Sequence, residues 1–234
     1  MNQKGLPMTS TTKEAQNQNQ IDEFRHRGPC TMGPWTSSIW RHDPRHLLFM
    51  LARYKFASKL LAGRSRVLEV GCGDAFGTPV VLQTVGAVHG VDFEPLVLED
   101  VRLRYSREGI PCATFEVHNM LDGPLSNVFD GAYSLDVIEH IQPDQERCFI
   151  DNICSSLSSE GMLIIGTPNI TSREYASEGS LVGHVNLKSA ETIRTMLARR
   201  FRTVLVFSMN DEIVHTGFYP MAHYILGVGI MLTN

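Results

Sequence analysis

The sequence predicts an α/β fold in which a mostly parallel sheet of seven strands carries helices on both faces. Short apolar runs alternate with segments of helical periodicity along most of the chain, as in parallel sheets whose strands are joined by helices. Glycines follow the first apolar run, at the point where a strand would give way to a helix. With 234 residues, the chain is long enough for one such domain and a few additions.

The predicted elements follow from hydrophobic periodicity. Strands are predicted at 66–70, 87–91, 113–117, 131–135, 162–166, 203–208 and 223–231. Helices are predicted at 44–61, 78–85, 95–107, 144–157 and 189–200. In the last helix, Ile193, Met196 and Leu197 form one apolar face, and Ser189 stands where an N-cap is expected.

The chain is expected to divide into three parts. Residues 1–28 are rich in Gln, Asn, Thr and Ser and poor in large apolar residues, which predicts a flexible tail. Residues 29–63 are interpreted as an N-terminal arm and helix, and residues 64–234 as the main domain. The arm holds Trp35 and Trp40, the two tryptophans of the chain, which either form a lid or substrate loop or anchor the arm on the domain.

Composition excludes several classes of protein. The net charge of −4 and the lack of a dense Lys/Arg cluster argue against nucleic acid as a partner. The longest apolar stretch, 224–232, is too short to cross a bilayer, so no membrane partner is expected. Five scattered cysteines with no CxxC pair are typical of reduced thiols, and a cytoplasmic location is expected.

The loop after the first strand points to a nucleoside ligand. Gly71 and Gly73 allow a sharp turn and a close approach to a ligand. Asp92 ends the second strand, where an acid can accept hydrogen bonds from both hydroxyls of a ribose. A dinucleotide loop would place a third glycine where Phe76 stands, and Phe76 leaves no room for a close phosphate. Glu69, two residues before the loop, is placed to meet a cationic ligand group such as an amino group.

This arrangement resembles motif I of the class I methyltransferases that use S-adenosylmethionine (SAM), and the resemblance runs over residues 45–231. It extends through 118–120 after the third strand, 129–136 around the fourth and 161–169 around the fifth. One departure is Ala75, where the family usually has a third glycine. The resemblance implies a Rossmann-like class I methyltransferase fold, with 64–234 as the SAM-binding domain. It also implies a SAM pocket formed by Glu69, Gly71, Gly73, Asp92, Phe93, Asn119, Met120 and Leu135.

A second constellation follows the fourth strand, where Asp136, Glu139 and His140 fall within one helical turn, and His184 follows the fifth strand. Three interpretations stay open. Glu139 and His140 bond backbone groups and shape the loop; His140 or His184 acts as a general base; or the four side chains bind a divalent metal. The segment resembles ubiquinone-biosynthesis O-methyltransferases. It is also similar to the Glu-x-x-Glu-His arrangement of metal-dependent small-RNA 2′-O-methyltransferases, with Asp136 replacing the first Glu.

The expected function is therefore SAM-dependent transfer of a methyl group to a hydroxyl or amine of a small molecule, such as a sugar, a quinone or a secondary metabolite. His140 and His184 are the catalytic candidates, and a divalent metal is a candidate cofactor that is not favoured, so no metal ligand is assigned. Expected partners are the acceptor and, as a candidate, a second copy of the chain in a homodimer. Alternatives are a metal-dependent RNA 2′-O-methyltransferase and a non-catalytic SAM-binding protein. A nicotinamide oxidoreductase is the least favoured.

Overall fold

A computed structural model describes residues 11–233, and its centre is one twisted sheet of eight strands. Each of the seven predicted strands is present. The strands are β1 (Val67–Val70), β2 (Val88–Asp92), β3 (Ala113–Val117), β4 (Phe129–Leu135), β5 (Leu157–Pro168), β6 (Phe201–Asn210), β7 (Ile213–His215) and β8 (Tyr224–Leu232).

The spatial order of the strands is β3-β2-β1-β4-β5-β8-β6-β7. Strands β1 to β5 pair in parallel, whereas β8 runs antiparallel between β5 and β6. The prediction of seven strands was wrong by one, because β7 adds a short antiparallel edge to β6. With only three residues, β7 is too short to show the alternation that marks a strand in a sequence.

Eight α-helices occur in the described part of the chain, and the five predicted ones are among them. The helices are α1 (Gln18–Arg27), α2 (Pro34–His42), α3 (His46–Leu60), α4 (Thr78–Leu82), α5 (Pro95–Glu108), α6 (Glu146–Ser155), α7 (Glu178–Gly183) and α8 (Ala190–Ala198). The predicted cap of α8 is confirmed, since the Ser189 side chain accepts a hydrogen bond from the Thr192 backbone. Helices α1, α2 and α7 were not predicted.

The expected flexible tail, residues 1–28, lies partly outside the described residues. Within the described part, 18–27 form α1, none of whose residues is buried. The flexibility of this segment stays a prediction. No helix in the described range has both the length and the apolar character that a membrane span requires.

The strand order places a ligand site at one edge of the sheet. Strand β1 lies between β2 and β4, so the chain leaves β1 in one direction along the sheet and returns on its other side. In open α/β sheets, ligands bind at the carboxyl ends of the strands beside such a reversal. The loops that leave the carboxyl ends of β1 and β4 are 71–77, with the glycines, and 136–140, with the Asp-x-x-Glu-His segment.

Candidate functional site

A cavity of about 430 Å³ opens at this edge of the sheet. Its size falls within the range of roughly 300–1,000 Å³ that is usual for small-molecule sites. The wall is mostly apolar with a few polar groups, as is usual for a small-molecule site. It is lined by Trp35, Val70, Gly71, Val91, Asp92, Phe93, His118, Asn119, Met120, Asp136, Val137, His140, Ile141 and Phe149.

The glycine loop has the backbone shape that its sequence predicts. Gly71 and Gly73 have φ values of +73° and +52°, in the left-handed region that side chains disfavour. A Cβ atom on Gly71 would also lie 2.3 Å from Cγ2 of Val137, so the close packing of these two loops requires a glycine. Ala75, which stands where the family pattern has a third glycine, adopts φ +55°, in the same left-handed region.

Asp92 is buried at the end of β2, and its carboxylate is fixed by the backbone. Oδ2 accepts a hydrogen bond from the Gly73 N–H at 2.9 Å, and Oδ1 accepts one from the Glu94 N–H at 3.0 Å. Each carboxylate oxygen has two lone pairs, so one acceptor position on each oxygen is left. Because Asp92 also lines the cavity, these positions suit the two hydroxyls of a ribose.

Five of the eight predicted cofactor residues line the cavity: Gly71, Asp92, Phe93, Asn119 and Met120. Phe93 is 71% exposed, whereas Met120 is buried. Of the other three, Leu135 is buried and lies off the cavity wall. Gly73 is covered by the ring of Trp35.

Glu69 does not line the cavity either, contrary to what its place before the glycines suggested. Its side chain is 1% exposed and accepts a hydrogen bond from the Thr78 hydroxyl at 2.6 Å. Thr78 is the first residue of α4, so this bond ties β1 to the helix that follows the glycine loop. Burial raises the pKa of the Glu69 carboxyl to about 7.

His140, which lines the cavity, packs against His184. Their rings pack edge to face with centroids 5.0 Å apart, and Glu139 joins them, with one ligand atom from each residue within 4.8 Å of the others. Nδ1 of His140 lies 3.0 Å from the Gly183 carbonyl oxygen. A carbonyl only accepts, so Nδ1 carries the proton and Nε2 of the neutral ring is free to accept one.

The residues around Glu139 and His184 shift the pKa values of both side chains. Glu139 is buried and accepts a hydrogen bond from the Thr167 hydroxyl at 3.1 Å. Burial and then the nearby Asp136 carboxylate raise the pKa of Glu139. Burial and then the neighbouring His140 lower the pKa of His184. Among the described residues, this is the one cluster whose donors are spaced to hold a metal ion.

Asp136 does not join that cluster, although one interpretation of the sequence grouped it there. Its carboxylate lies 2.6 Å from Nη1 of Arg53 on α3. Arg53 is buried, and its guanidinium stacks on the ring of Tyr224, 3.8 Å from the centroid. Asp136 is therefore paired with Arg53, and the clustered donors are the three of Glu139, His140 and His184.

Two residues of this region, Trp35 and Arg53, were not assigned to the site from the sequence. For Trp35, the sequence predicts either a lid or a docking anchor and does not distinguish between them. Arg53 gave a usable signal, because it is a charge within the apolar spacing of α3, where burial requires a partner. Its partner is 83 residues away, and local spacing does not identify it.

Comparison with known proteins supports the fold and the cofactor. Residues 67–161 match a family model described as "Methyltransferase domain". A probable S-adenosylmethionine-dependent methyltransferase of Mycobacterium tuberculosis (strain CDC 1551 / Oshkosh) is 33% identical over 104 residues, which is 44% of this chain and 35% of that protein. The chain thus spans only about a third of that relative's length. A ubiquinone biosynthesis O-methyltransferase of Xanthomonas campestris pv. campestris (strain B100) is 24% identical over 172 residues, covering 73% of this chain and 69% of that one.

Solved structures show the same fold. The N-methyltransferase NodS from Bradyrhizobium japonicum WM9, in complex with S-adenosyl-L-homocysteine (SAH), matches with a TM-score of 0.58 at 20% identity, covering 82% of this chain and 91% of that one. The methyltransferase domain of a bacterial Hen1 protein matches with a TM-score of 0.65 at 16% identity, covering 78% and 98%.

Fold and cavity together define the class I methyltransferase architecture, in which a Rossmann-like sheet binds its ligand beyond β1. Within that architecture, residues 67–161 match a methyltransferase domain, and the SAM-dependent relatives and the SAH-bound NodS structure support SAM as the cofactor. The class that the sequence motifs indicated is confirmed.

Proposed function

We propose that the chain transfers the methyl group of SAM to a hydroxyl or amine of a small molecule, with His140 as the general base. The observation that carries this proposal is the position of His140. It lines the same cavity as Asp92, and its contact with the Gly183 carbonyl leaves Nε2 free to accept a proton. His184 packs against the ring and limits its rotation.

Little covalent chemistry is required of the protein. When bound, SAM supplies a methyl group that its sulfonium already activates. Asp92 and the glycine loop hold the nucleoside end, and the apolar wall excludes water from the reacting atoms. His140 accepts the proton of the acceptor's hydroxyl or amine at Nε2 as the oxygen or nitrogen forms its bond to the methyl carbon. The bound cofactor would supply the methyl carbon, and the electron pair of its carbon–sulfur bond would stay on sulfur.

The compared proteins support both kinds of acceptor atom. The Xanthomonas relative is named as an O-methyltransferase of ubiquinone biosynthesis, and NodS is named as an N-methyltransferase. The composition supports a small acceptor rather than a polyanion, since the net charge is −4. A sugar, a quinone and a secondary metabolite are the acceptor classes that we propose.

The test is a screen of hydroxyl and amine acceptors, with release of SAH as the readout. His140→Gln is expected to lower the rate at least about 100-fold, the usual effect of losing a general base. SAM affinity should stay within about threefold, because the substitution leaves the nucleoside end untouched. The matched control is His26→Gln, which replaces an exposed histidine on α1 and should leave the rate unchanged. Binding of SAM without SAH release from any acceptor would indicate a non-catalytic SAM-binding protein instead.

A second candidate, metal-dependent 2′-O-methylation of RNA, is favoured by the three clustered donors of Glu139, His140 and His184. The donor set fits a divalent ion, because the Nδ1 contact of His140 with the Gly183 carbonyl orients the ring and leaves Nε2 as a ligand. One experiment separates the candidates, which is to repeat the assay with chelator, with added Mn²⁺ and with short RNA. Activity on RNA that chelator abolishes would favour this candidate, whereas chelator-resistant activity on a small acceptor would exclude it.

A further inference from the structure

Helix α2 is fastened to the glycine loop by one carboxylate. The Thr36 N–H donates to Oδ2 of Asp74 at 2.7 Å, and the Thr36 hydroxyl donates to Oδ1 at 2.8 Å. Both residues are almost completely buried. The first turn of a helix has N–H groups without internal partners, and no side chain of α2 itself caps them. Asp74, distant in sequence, therefore acts as the cap, and its negative charge suits the helix N-terminus.

Asp74 is itself held rigidly. Nη2 of Arg104 on α5 donates to the Asp74 carbonyl oxygen at 2.6 Å, and Nε of Arg104 donates to Asp100 at 2.7 Å. The approach of α2 is also close, since a Cβ atom on Gly33 would lie 2.5 Å from the Asp74 Cβ. A glycine is thus required where α2 begins. These contacts connect α5, the glycine loop and α2 in one continuous arrangement.

This attachment places Trp35, the second residue of α2, over the cofactor cavity. The ring lines the cavity together with Gly71 and Asp92. It also covers Gly73, because a Cβ atom there would lie 2.7 Å from the Trp35 ring. Trp35 is 48% exposed, which leaves a large apolar surface uncovered at the mouth of a ligand site. Trp40, on the same helix, is 57% exposed and does not line the cavity.

We propose that Trp35 is a cofactor-binding residue and that α2 is the lid that carries it, with Asp74 as the latch that keeps the lid over the glycine loop. Bound SAM would cover the exposed face of the ring, and the ring would shield the cofactor from water. The latch keeps the binding-competent arrangement populated before the cofactor arrives, and this raises the apparent affinity. The proposal rests on SAM as the cofactor but not on the acceptor or the base.

Fluorescence tests the contact directly, because the chain has only two tryptophans. In the Trp40→Phe protein, Trp35 is the single indole, and titration with SAH should change its emission intensity in a saturable way. In the Trp35→Phe protein, the remaining Trp40 should show no change. A response from Trp40 with none from Trp35, while calorimetry shows SAH binding, would overturn the proposal.

Measurements of SAH affinity test whether Asp74 keeps α2 and Trp35 over the glycine loop. Trp35→Ala is expected to weaken SAH binding about tenfold, whereas the matched control Trp40→Ala should leave it unchanged. Asp74→Ala should weaken binding by a similar factor, and Thr36→Val, which removes only the hydroxyl bond, by less. Because Asp74 acts through Trp35, the double variant Trp35→Ala/Asp74→Ala should bind about as weakly as either single variant. Thermal unfolding shows that each variant is folded before its affinity is compared.

The outcomes are distinguishable. Additive losses of SAH affinity in the double variant would overturn the proposal that α2 is a lid, and so would equal SAH affinity in wild type and Trp35→Ala. Both results would leave the cofactor assignment intact. Failure of the wild type to bind SAH would overturn the lid and the cofactor assignment together. Failure to methylate any acceptor, with the fluorescence and affinity results as expected, would contradict only the proposed function.

Discussion

The guanidinium of Arg53 lies 2.6 Å from the carboxylate of Asp136, and this pair joins α3 to the first residue after β4. Asp136 has a φ of +59°, a conformation that aspartate tolerates better than most residues. The pair thus fixes the start of the turn that carries Glu139 and His140. It also pairs Asp136, which would be a second carboxylate beside Glu139, with a cation outside the cluster of Glu139, His140 and His184.

Arg53→Met is expected to lower the free energy of unfolding by about 2–3 kcal/mol, because it leaves the partly buried Asp136 carboxylate without its cation. Chemical denaturation measures the change. The double variant Arg53→Met/Asp136→Asn should be less destabilised than the sum of the single variants, because no charge is left unpaired. Lys59→Met, an exposed cation on the same helix, is the control, and an equal loss there would contradict the assigned role of the pair.

Asp92→Asn is expected to weaken SAM binding about 10- to 100-fold, measured by calorimetric titration. The amide keeps the shape of the side chain, but one of its two polar atoms no longer accepts a hydrogen bond. NAD should not bind either protein measurably, since Phe76 stands where a dinucleotide loop needs a glycine. Tighter binding of NAD than of SAM would contradict the cofactor assignment.

The stability of the protein is expected to fall with rising pH because of Glu69. Burial raises the pKa of this carboxyl to about 7 in the folded state, against about 4.3 in an unfolded chain. At a pH below both pKa values, Glu69 is protonated in the folded and the unfolded state. Its ionisation then does not change the free energy of unfolding. As the pH rises between the two pKa values, the unfolded state alone ionises, so the free energy of unfolding decreases, by about 3–4 kcal/mol once the pH exceeds the folded value.

The measurement for Glu69 compares wild type with Glu69→Gln by chemical denaturation from about pH 5 to about pH 8. The glutamine does not titrate, so wild type should lose stability relative to the variant across this range. A difference that stays constant with pH would show that Glu69 is ionised in the folded protein throughout.

The segment that carries His184 is expected to depend on an ion pair between buried Lys188 and half-buried Glu146. Lys188 bonds the carboxylate of Glu146 and, at 2.7 Å, the amide oxygen of Asn186. The Asn186 N–H in turn donates to the Glu139 carbonyl at 3.0 Å, which connects the segment to the turn with His140. Lys188→Met should lower the free energy of unfolding by about 3 kcal/mol. It should also reduce kcat more than it weakens SAM binding.

The control for this pair is Arg147→Met. Arg147 is 83% exposed and lies 3.5 Å from Asp151, so its loss should change stability by less than about 0.5 kcal/mol. If Lys188→Met and Arg147→Met had equal small effects, the pair of Lys188 and Glu146 would have no role in positioning His184.

Much of the fold was predictable because its determinants are local. The apolar runs of β1 to β6 and β8 and the spacing of α3, α4, α5, α6 and α8 are visible along the chain. Helix α2 was missed because Trp35 and Trp40 were weighed only as a loop or as anchors, whereas the helix begins at Pro34, a favourable first residue. The edge strand β7 is defined by its pairing with β6 rather than by its own pattern.

The sequence by itself determined the α/β class, the glycine loop and the acid at the end of β2, since each depends on residues close together in the chain. Only the tertiary structure decided that Arg53 neutralises Asp136, that Glu69 is buried against Thr78, and that Trp35 covers Gly73. Most of these contacts join residues tens of positions apart. Which distant groups meet depends on how helices pack on the sheet, and hydrophobic periodicity records which face is buried but not what lies against it.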